Sequence, residues 1–387
     1  MRGRRGKGRG GLLIPPLLFC LGAAGCFFGM GKLLPALEGA AQWVSQAGGI
    51  EEAGELGEDI ETNEAPVFLP RGEDVEFDPF AAQPVLGNQP EPVEQEGEGE
   101  LPPVPENPVE ILEEQFSFSG MGDMYIPAGK GYIRNMTSSL SRAQVSSEVG
   151  KKPEIVLADT EEPQVLIIHT HATESYEKYD VGYGDADYAA RSDDNAENVV
   201  AVGDVIAAQL EEAGIGVIHD GTQHDNPSYN GSYDRSMATV EAYLEEYPSI
   251  RVVLDIHRDA IEREGGVRVK PTVKIDGKKA AQVMVCVGCG SDSARVPEYR
   301  HNLRFGAMLQ NALQTDYPGL ARPLYLCDRN YNLHLTKGSL LIEMGGHANT
   351  LEEAKYSGEM VGKALVKVLR ELEAEEEATD GTEDGAE

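Results

Sequence analysis

Three short runs concentrate side chains that bind metals or move protons. They are His169-Thr170-His171-Ala172-Thr173-Glu174, Asp255-Ile256-His257-Arg258-Asp259 and Glu343-Met344-Gly345-Gly346-His347. Each follows an apolar run (Val165–Ile168, Val252–Leu254, Leu340–Ile342) of the kind that forms a buried strand. Open α/β sheets gather ligands at the carboxyl ends of their strands, so the three runs are expected at one edge of one sheet. A His and a Glu three residues apart, with a distant second His, offer Zn²⁺ three ligands and leave a position for water. A further carboxylate can then act as general base on an amide bond and return the proton to the leaving amine. The candidates are His169, His171, Glu174 and His257 for the metal and Glu343 for the base.

Each candidate also has a plainer reading. His169 can cap its strand through a backbone bond, Glu174 can open a surface loop, and Glu343 can pair with a structural Arg. Arg258 either touches substrate or pairs with Asp259, and His347 lies past two glycines on a loop. His224-Asp225, before Pro227-Ser228-Tyr229-Asn230, reads as a structured loop at the rim of a cleft, with His224 and Tyr229 as candidate substrate contacts. Cys286 and Cys289 form half of a zinc knuckle with no second half. They read as small buried thiols, with a disulfide to Cys327 as the alternative. No Gly-x-Ser-x-Gly run is present, which argues against a serine hydrolase.

Strands and helices alternate around these runs from about Gln164 to Leu372. Helical spacing covers Asn195–Ala213 and stops at Gly214, a natural C-terminal cap. Further helices are expected at Met237–Glu246, Tyr299–Leu313 and Thr350–Leu372. Further strands are expected at Gly216–His219, Ile250–Asp255, Ala281–Gly288 and Leu340–Glu343. The pattern predicts an α/β fold: a mainly parallel mixed sheet with helices on both faces.

The rest of the chain is biased in composition. The 387 residues carry a formal charge of −33. Residues 51–100 hold sixteen acids against one Arg, and Glu371–Glu387 adds nine acids and no base. No basic face is left for nucleic acid. Five basic residues in the first nine precede an uncharged, mostly apolar run of 22 from Gly10 to Gly31. This reads as a transmembrane anchor, with residues 1–9 cytoplasmic and the remainder outside the cell membrane. Residues 32–115, rich in Pro, Gly and Glu, are expected to be a disordered linker. Residues 116–162 are a lead-in with two short strand-like pieces, 163–372 the catalytic domain, and 373–387 an acidic disordered tail.

The string from Leu166 to Tyr176 resembles the stage II sporulation protein P family. So do Asn198–Gly203, His224-Asp225 through Tyr233, Asp255–Ala260, Arg329–Asn332, Leu341–Gly345 and Asn349–Ala354. The likeness spans roughly residues 163–370, and an N-terminal anchor and linker accompany it. It implies a membrane-anchored peptidoglycan hydrolase of endospore-forming bacteria. The family acts in forespore engulfment as N-acetylmuramoyl-L-alanine amidase and crosslink endopeptidase, with stage II sporulation proteins D and M as partners. The fold it implies is similar to that of the zinc cell-wall amidases, which ligate zinc by His, Glu and His and carry a catalytic Glu on the last strand. On this chain His171 or His169 matches the first ligand, His257 the third and Glu343 the base. The second ligand of those amidases stands where this chain has Asp193, Asp194, Asn195 and Glu197, without a clear match. Glu174 supplies a His-x-x-Glu alternative. An incomplete triad would instead make the head a peptidoglycan-binding scaffold.

Overall fold

A computed structural model describes residues 102–117, 122–158, 160–291 and 295–380. The expected span at 10–31, most of the linker and the end of the tail lie outside them. Among the described residues no helix is long and apolar enough to cross a membrane.

Eight strands form the main sheet. They are β2 (Tyr125–Ala128), β3 (Gly131–Asn135), β4 (Val165–Ile168), β6 (Val217–His219), β7 (Val252–Asp259), β10 (Val283–Gly288), β11 (Leu324–Cys327) and β12 (Gly338–Gly346). Their spatial order is β2-β3-β11-β10-β12-β7-β4-β6, and five of the seven pairings are parallel. A smaller sheet has the order β5-β1-β8-β9, from β1 (Pro108–Glu114), β5 (Tyr183–Asp185), β8 (Arg268–Ile275) and β9 (Lys278–Ala281). The helices are α1 (Arg142–Ser146), α2 (Val199–Glu212), α3 (Ser232–Glu246), α4 (Tyr299–Asp316) and α5 (Leu351–Asp380).

Strand alternation sorts the core into two faces. Val165, Ile167, Leu254, Ile256, Val285, Leu340 and Ile342 point to one face, where they pack with apolar residues of α2, α4 and α5. Leu166, Ile168 and Val253 point to the other and pack against Val240 and Tyr243 of α3. The expected mixed sheet with helices on both faces is what the chain builds.

Regular structure extends into both segments expected to flank the catalytic domain as disordered chain. Pro108–Glu114, inside the stretch read as linker, is a strand paired parallel with β8 and antiparallel with β5. Its Glu113 and Glu114 are engaged by Lys279 and Arg263, so charges that suggested solvation are partners instead. Helix α5 continues past Leu372 to Asp380, because a Glu- and Ala-rich run has high helix propensity.

Candidate functional site

The three central strands β4, β7 and β12 are parallel neighbours, so their carboxyl ends share one edge. All eight residues of β7 are buried, and the Asp255–Asp259 run lies within the strand rather than after it. Alternation therefore places Asp255, His257 and Asp259 together on the α3 face. Glu343 of β12 is the direct cross-strand neighbour of His257 and joins them there. Beyond Glu343 the ladder bulges, and Gly345 takes a φ of +79°. A Cβ there would sit 2.6 Å from that of Ala281, so the turn requires glycine.

The two early histidines go to opposite faces. His169 continues the alternation of β4 to the α2 face and is fully buried. Its Nδ1 donates to the Ile256 carbonyl at 3.0 Å, and its Nε2 lies 2.8 Å from Nε2 of His219, whose Nδ1 meets Asp204 at 3.0 Å. His171, after the chain has turned, lies with its ring centroid 5.3 Å from that of His257. The structure thus brings His171, Glu174, His257 and Glu343 to one place and leaves His169 in a separate histidine pair.

His257 is held by its strand neighbour: Nε2 lies 2.9 Å from Asp255 Oδ1, while Nδ1 lies 3.6 Å from Glu174 Oε2. Asp255 is fixed in turn by the backbone N–H and hydroxyl of Thr170, at 2.8 and 2.7 Å. Burial alone would lower the His257 pKa, but Asp255, Glu174 and Glu343 together lift it to about 9. Burial would raise Asp255, yet His257 and Thr170 bring it down to about 2. Glu174 is likewise opposed by its burial, and Arg258, His257, His171 and Arg191 hold it below the usual carboxylate range. Glu343 goes the other way. Burial and then Asp259 raise its pKa, with His257 opposing.

Arg258 spends its donors inside the protein. Its Nε and Nη2 bind the carbonyls of Ser175 and Ala190, both at 3.0 Å, and its backbone N–H binds Glu174 Oε2 at 3.0 Å. It positions Glu174 and presents no fork to a substrate. His224 is also internal: Nδ1 donates to the His169 carbonyl and Nε2 contacts the Thr239 hydroxyl, both at 2.9 Å. Both were expected to contact substrate; the structure instead turns Nε and Nη2 of Arg258 and both ring nitrogens of His224 to internal partners. Tyr229 lies against His171. It is 38% exposed and stacks on that ring at 4.4 Å and 11°. Arg191 reaches over the Tyr229 ring, donates to Asp225 at 2.7 Å and lies 3.8 Å from Glu174 Oε1. Arg191, Asp225, Asp255 and Tyr233, whose ring edge meets His171, had no assigned role in the sequence. The three cysteines Cys286, Cys289 and Cys327 are free thiols.

The donors suit zinc in kind. His171 Nδ1 and His257 Nε2 are buried without a hydrogen-bond partner among the described residues; Nε2 of His257 meets Asp255 as a charge contact, and its Nδ1 faces Glu174 at 3.6 Å. Two imidazoles, one of them backed by a carboxylate, and a glutamate are the ligand chemistry of catalytic zinc sites. Among the described residues no three such side chains already converge on a single point. The Glu174 carboxylate is drawn to the Arg258 amide.

Fold and site together define a mixed α/β protein with a buried His/carboxylate cluster at the carboxyl edge of its main sheet. The family model for Stage II sporulation protein P matches residues 126–366, and the chain belongs to that family. It is 30% identical over 227 residues to Stage II sporulation protein P of Bacillus subtilis (strain 168), a match covering 56% of this chain. The chain spans about half of that relative, 53% of its length. Among solved structures it is similar to the amidase Ami1 from Mycobacterium abscessus, with 15% identity and a TM-score of 0.32 over 55% of this chain and 98% of that one. It is also similar to an N-acetylmuramoyl-L-alanine amidase from Clostridium difficile 630, with 13% identity and a TM-score of 0.30 over 58% and 100%.

Proposed function

We propose that the chain is a zinc-dependent peptidoglycan hydrolase of sporulation that cleaves the amide between N-acetylmuramic acid and L-alanine, and peptide crosslinks by the same chemistry. The observation that carries this reading is the gathering of His171, Glu174 and His257 beside the buried carboxyl of Glu343. Family membership supports the sporulation role.

His171, Glu174 and His257 would hold the metal, which supplies Lewis acidity and a water acidic enough to attack near neutral pH. Glu343 accepts the proton of the attacking water and returns it to the nitrogen of the leaving amine. Asp255 fixes the His257 ring through Nε2, and Arg258 and Arg191 hold Glu174 in place. Tyr229 covers His171 and offers its exposed edge to the incoming strand.

The same reading places the head outside the cell membrane behind an anchor at residues 10–31, working with stage II sporulation proteins D and M. Its support is the residue pattern of the N-terminus and the family. The test is digestion of purified sacculi by the full chain with zinc and with a chelator, the fragments read by mass spectrometry. Free stem peptides that vanish with chelator and return with zinc are the expected result. Binding without fragments would leave a peptidoglycan-binding scaffold, the reading that the unconverged ligands favour.

A further inference from the structure

One buried cation beside Glu343 is left largely unanswered by its own protein. Arg322 precedes β11, its backbone N–H bonded to Val283 at the start of β10, the strand that pairs with β12 on the side away from β7. Its residue exposure is 4%. One donor, Nη1, meets Asp259 Oδ2 at 2.8 Å. Among the described residues nothing accepts from Nε or Nη2, and both atoms are buried. These two N–H groups form the side-on edge of the guanidinium, the parallel fork that matches a carboxylate bidentately. Asp259 has taken the other end and left that edge intact.

Arg134 on β3 is a second buried guanidinium within electrostatic reach; burial lowers its pKa, and Arg322 adds a smaller push in the same direction. The Phe116 ring lies 5.8 Å from the Arg322 Cζ. Oε2 of Glu343 is also buried without a hydrogen-bond partner among the described residues. A fork that needs a carboxylate therefore stands beside a carboxyl oxygen that needs a donor.

We propose that the Nε–Nη2 edge of Arg322 receives a carboxylate of the peptide strand, carried by the residue that follows the alanine of the scissile amide. The inference rests on the hydrolase reading and names a specificity-determining residue for it. An amide N–H presented to Glu343 and a carboxylate presented to Arg322 are features of one stem peptide, and they fit the two unpartnered groups in the sense each requires.

The experiment compares N-acetylmuramoyl-L-alanyl-D-isoglutamate with its carboxamide, the isoglutamine. Each is titrated by calorimetry into the metal-stripped full chain, so binding is read without turnover. The wild-type chain is expected to bind the free acid about tenfold or more tightly than the amide. Arg322→Lys, which keeps the charge and loses the fork, is expected to lose most of that preference. Equal affinity of the wild-type chain for acid and amide, or no binding of either, overturns the proposal without reference to any variant. Cleavage by the zinc-loaded chain is scored separately. A carboxylate preference without cleavage would sink the hydrolase reading and leave the fork. Cleavage without preference would do the reverse.

Discussion

Nε2 of His257 lies 2.9 Å from Oδ1 of Asp255, two residues earlier on the same strand. Alternation puts both side chains on one face, so a single stretch of backbone carries a candidate ligand and the carboxylate that orients it. That arrangement leaves the ring little freedom and directs Nδ1 toward Glu174. Asp255→Asn should therefore weaken zinc binding by 10- to 100-fold, the usual effect of losing such an orienting carboxylate. Competition against a chromophoric chelator measures it, and unchanged affinity would remove Asp255 from the role.

Zinc affinity should rise with pH. The folded His257 pKa is lifted to about 9, so near neutrality the imidazole holds a proton that a metal must displace. Each pH unit below 9 then lowers apparent affinity by up to about tenfold. Calorimetry in buffers of different ionisation enthalpy would count the released proton, and a count of zero at pH 7 contradicts the assignment.

Glu343→Gln keeps the shape of the side chain and removes the base. Cleavage of sacculi should fall by roughly 10²- to 10⁴-fold, with the fold and zinc affinity retained. Wild-type rates in this variant would mean that another group moves the proton.

Mild acid should remove the stability contributed by two histidines before most carboxylates titrate. Burial, then Arg258 and Arg268, bring His347 down to about 3, and burial brings His169 well below its usual value. A histidine with a depressed folded pKa gives full stability above about pH 6.5, because the unfolded chain takes the proton first below it. At pH 5 His347 alone accounts for about 2 kcal/mol of lost stability. His257 and Glu343, whose folded pKa values are raised, gain stability over the same range, so the share of His347 is read as a difference: from pH 7.5 to 5 the Tm of His347→Asn should shift less toward loss than that of the wild type. An identical shift in the variant rules out this histidine.

Gly203 of α2 lies against the separate histidine pair. A Cβ there would stand 2.5 Å from His219 Nε2 and 2.7 Å from His169 Nε2. Gly203→Ala should cost about 1–3 kcal/mol by overpacking, while zinc affinity changes little because His171 and His257 lie on the other face. Denaturant unfolding and the chelator competition separate the two effects.

The apolar strands β4, β7, β10 and β12 were legible because each is flanked by polar runs, and the three chemical motifs pointed to one edge. The separation of His169 from His171 was not legible, because face assignment depends on where β4 ends and the chain turns. Strand β8 was hidden by its own charges: Lys270 is fully buried, but its amine meets Asp180 at 2.5 Å and Glu353 at 2.8 Å. Arg191 and Arg322 gave no local signal, since their partners are brought in from 34 and 63 residues away.

Strand β1 has a mechanical consequence. It lies between β5 and β8 in the smaller sheet, and the chain reaches it before any other strand of the described fold. Tension delivered through Asn107 and the residues before it pulls along the axis of β1. Tension along that axis would load both flanking ladders in shear, with several hydrogen bonds resisting at once. A pull on this end would be met by the sheet itself.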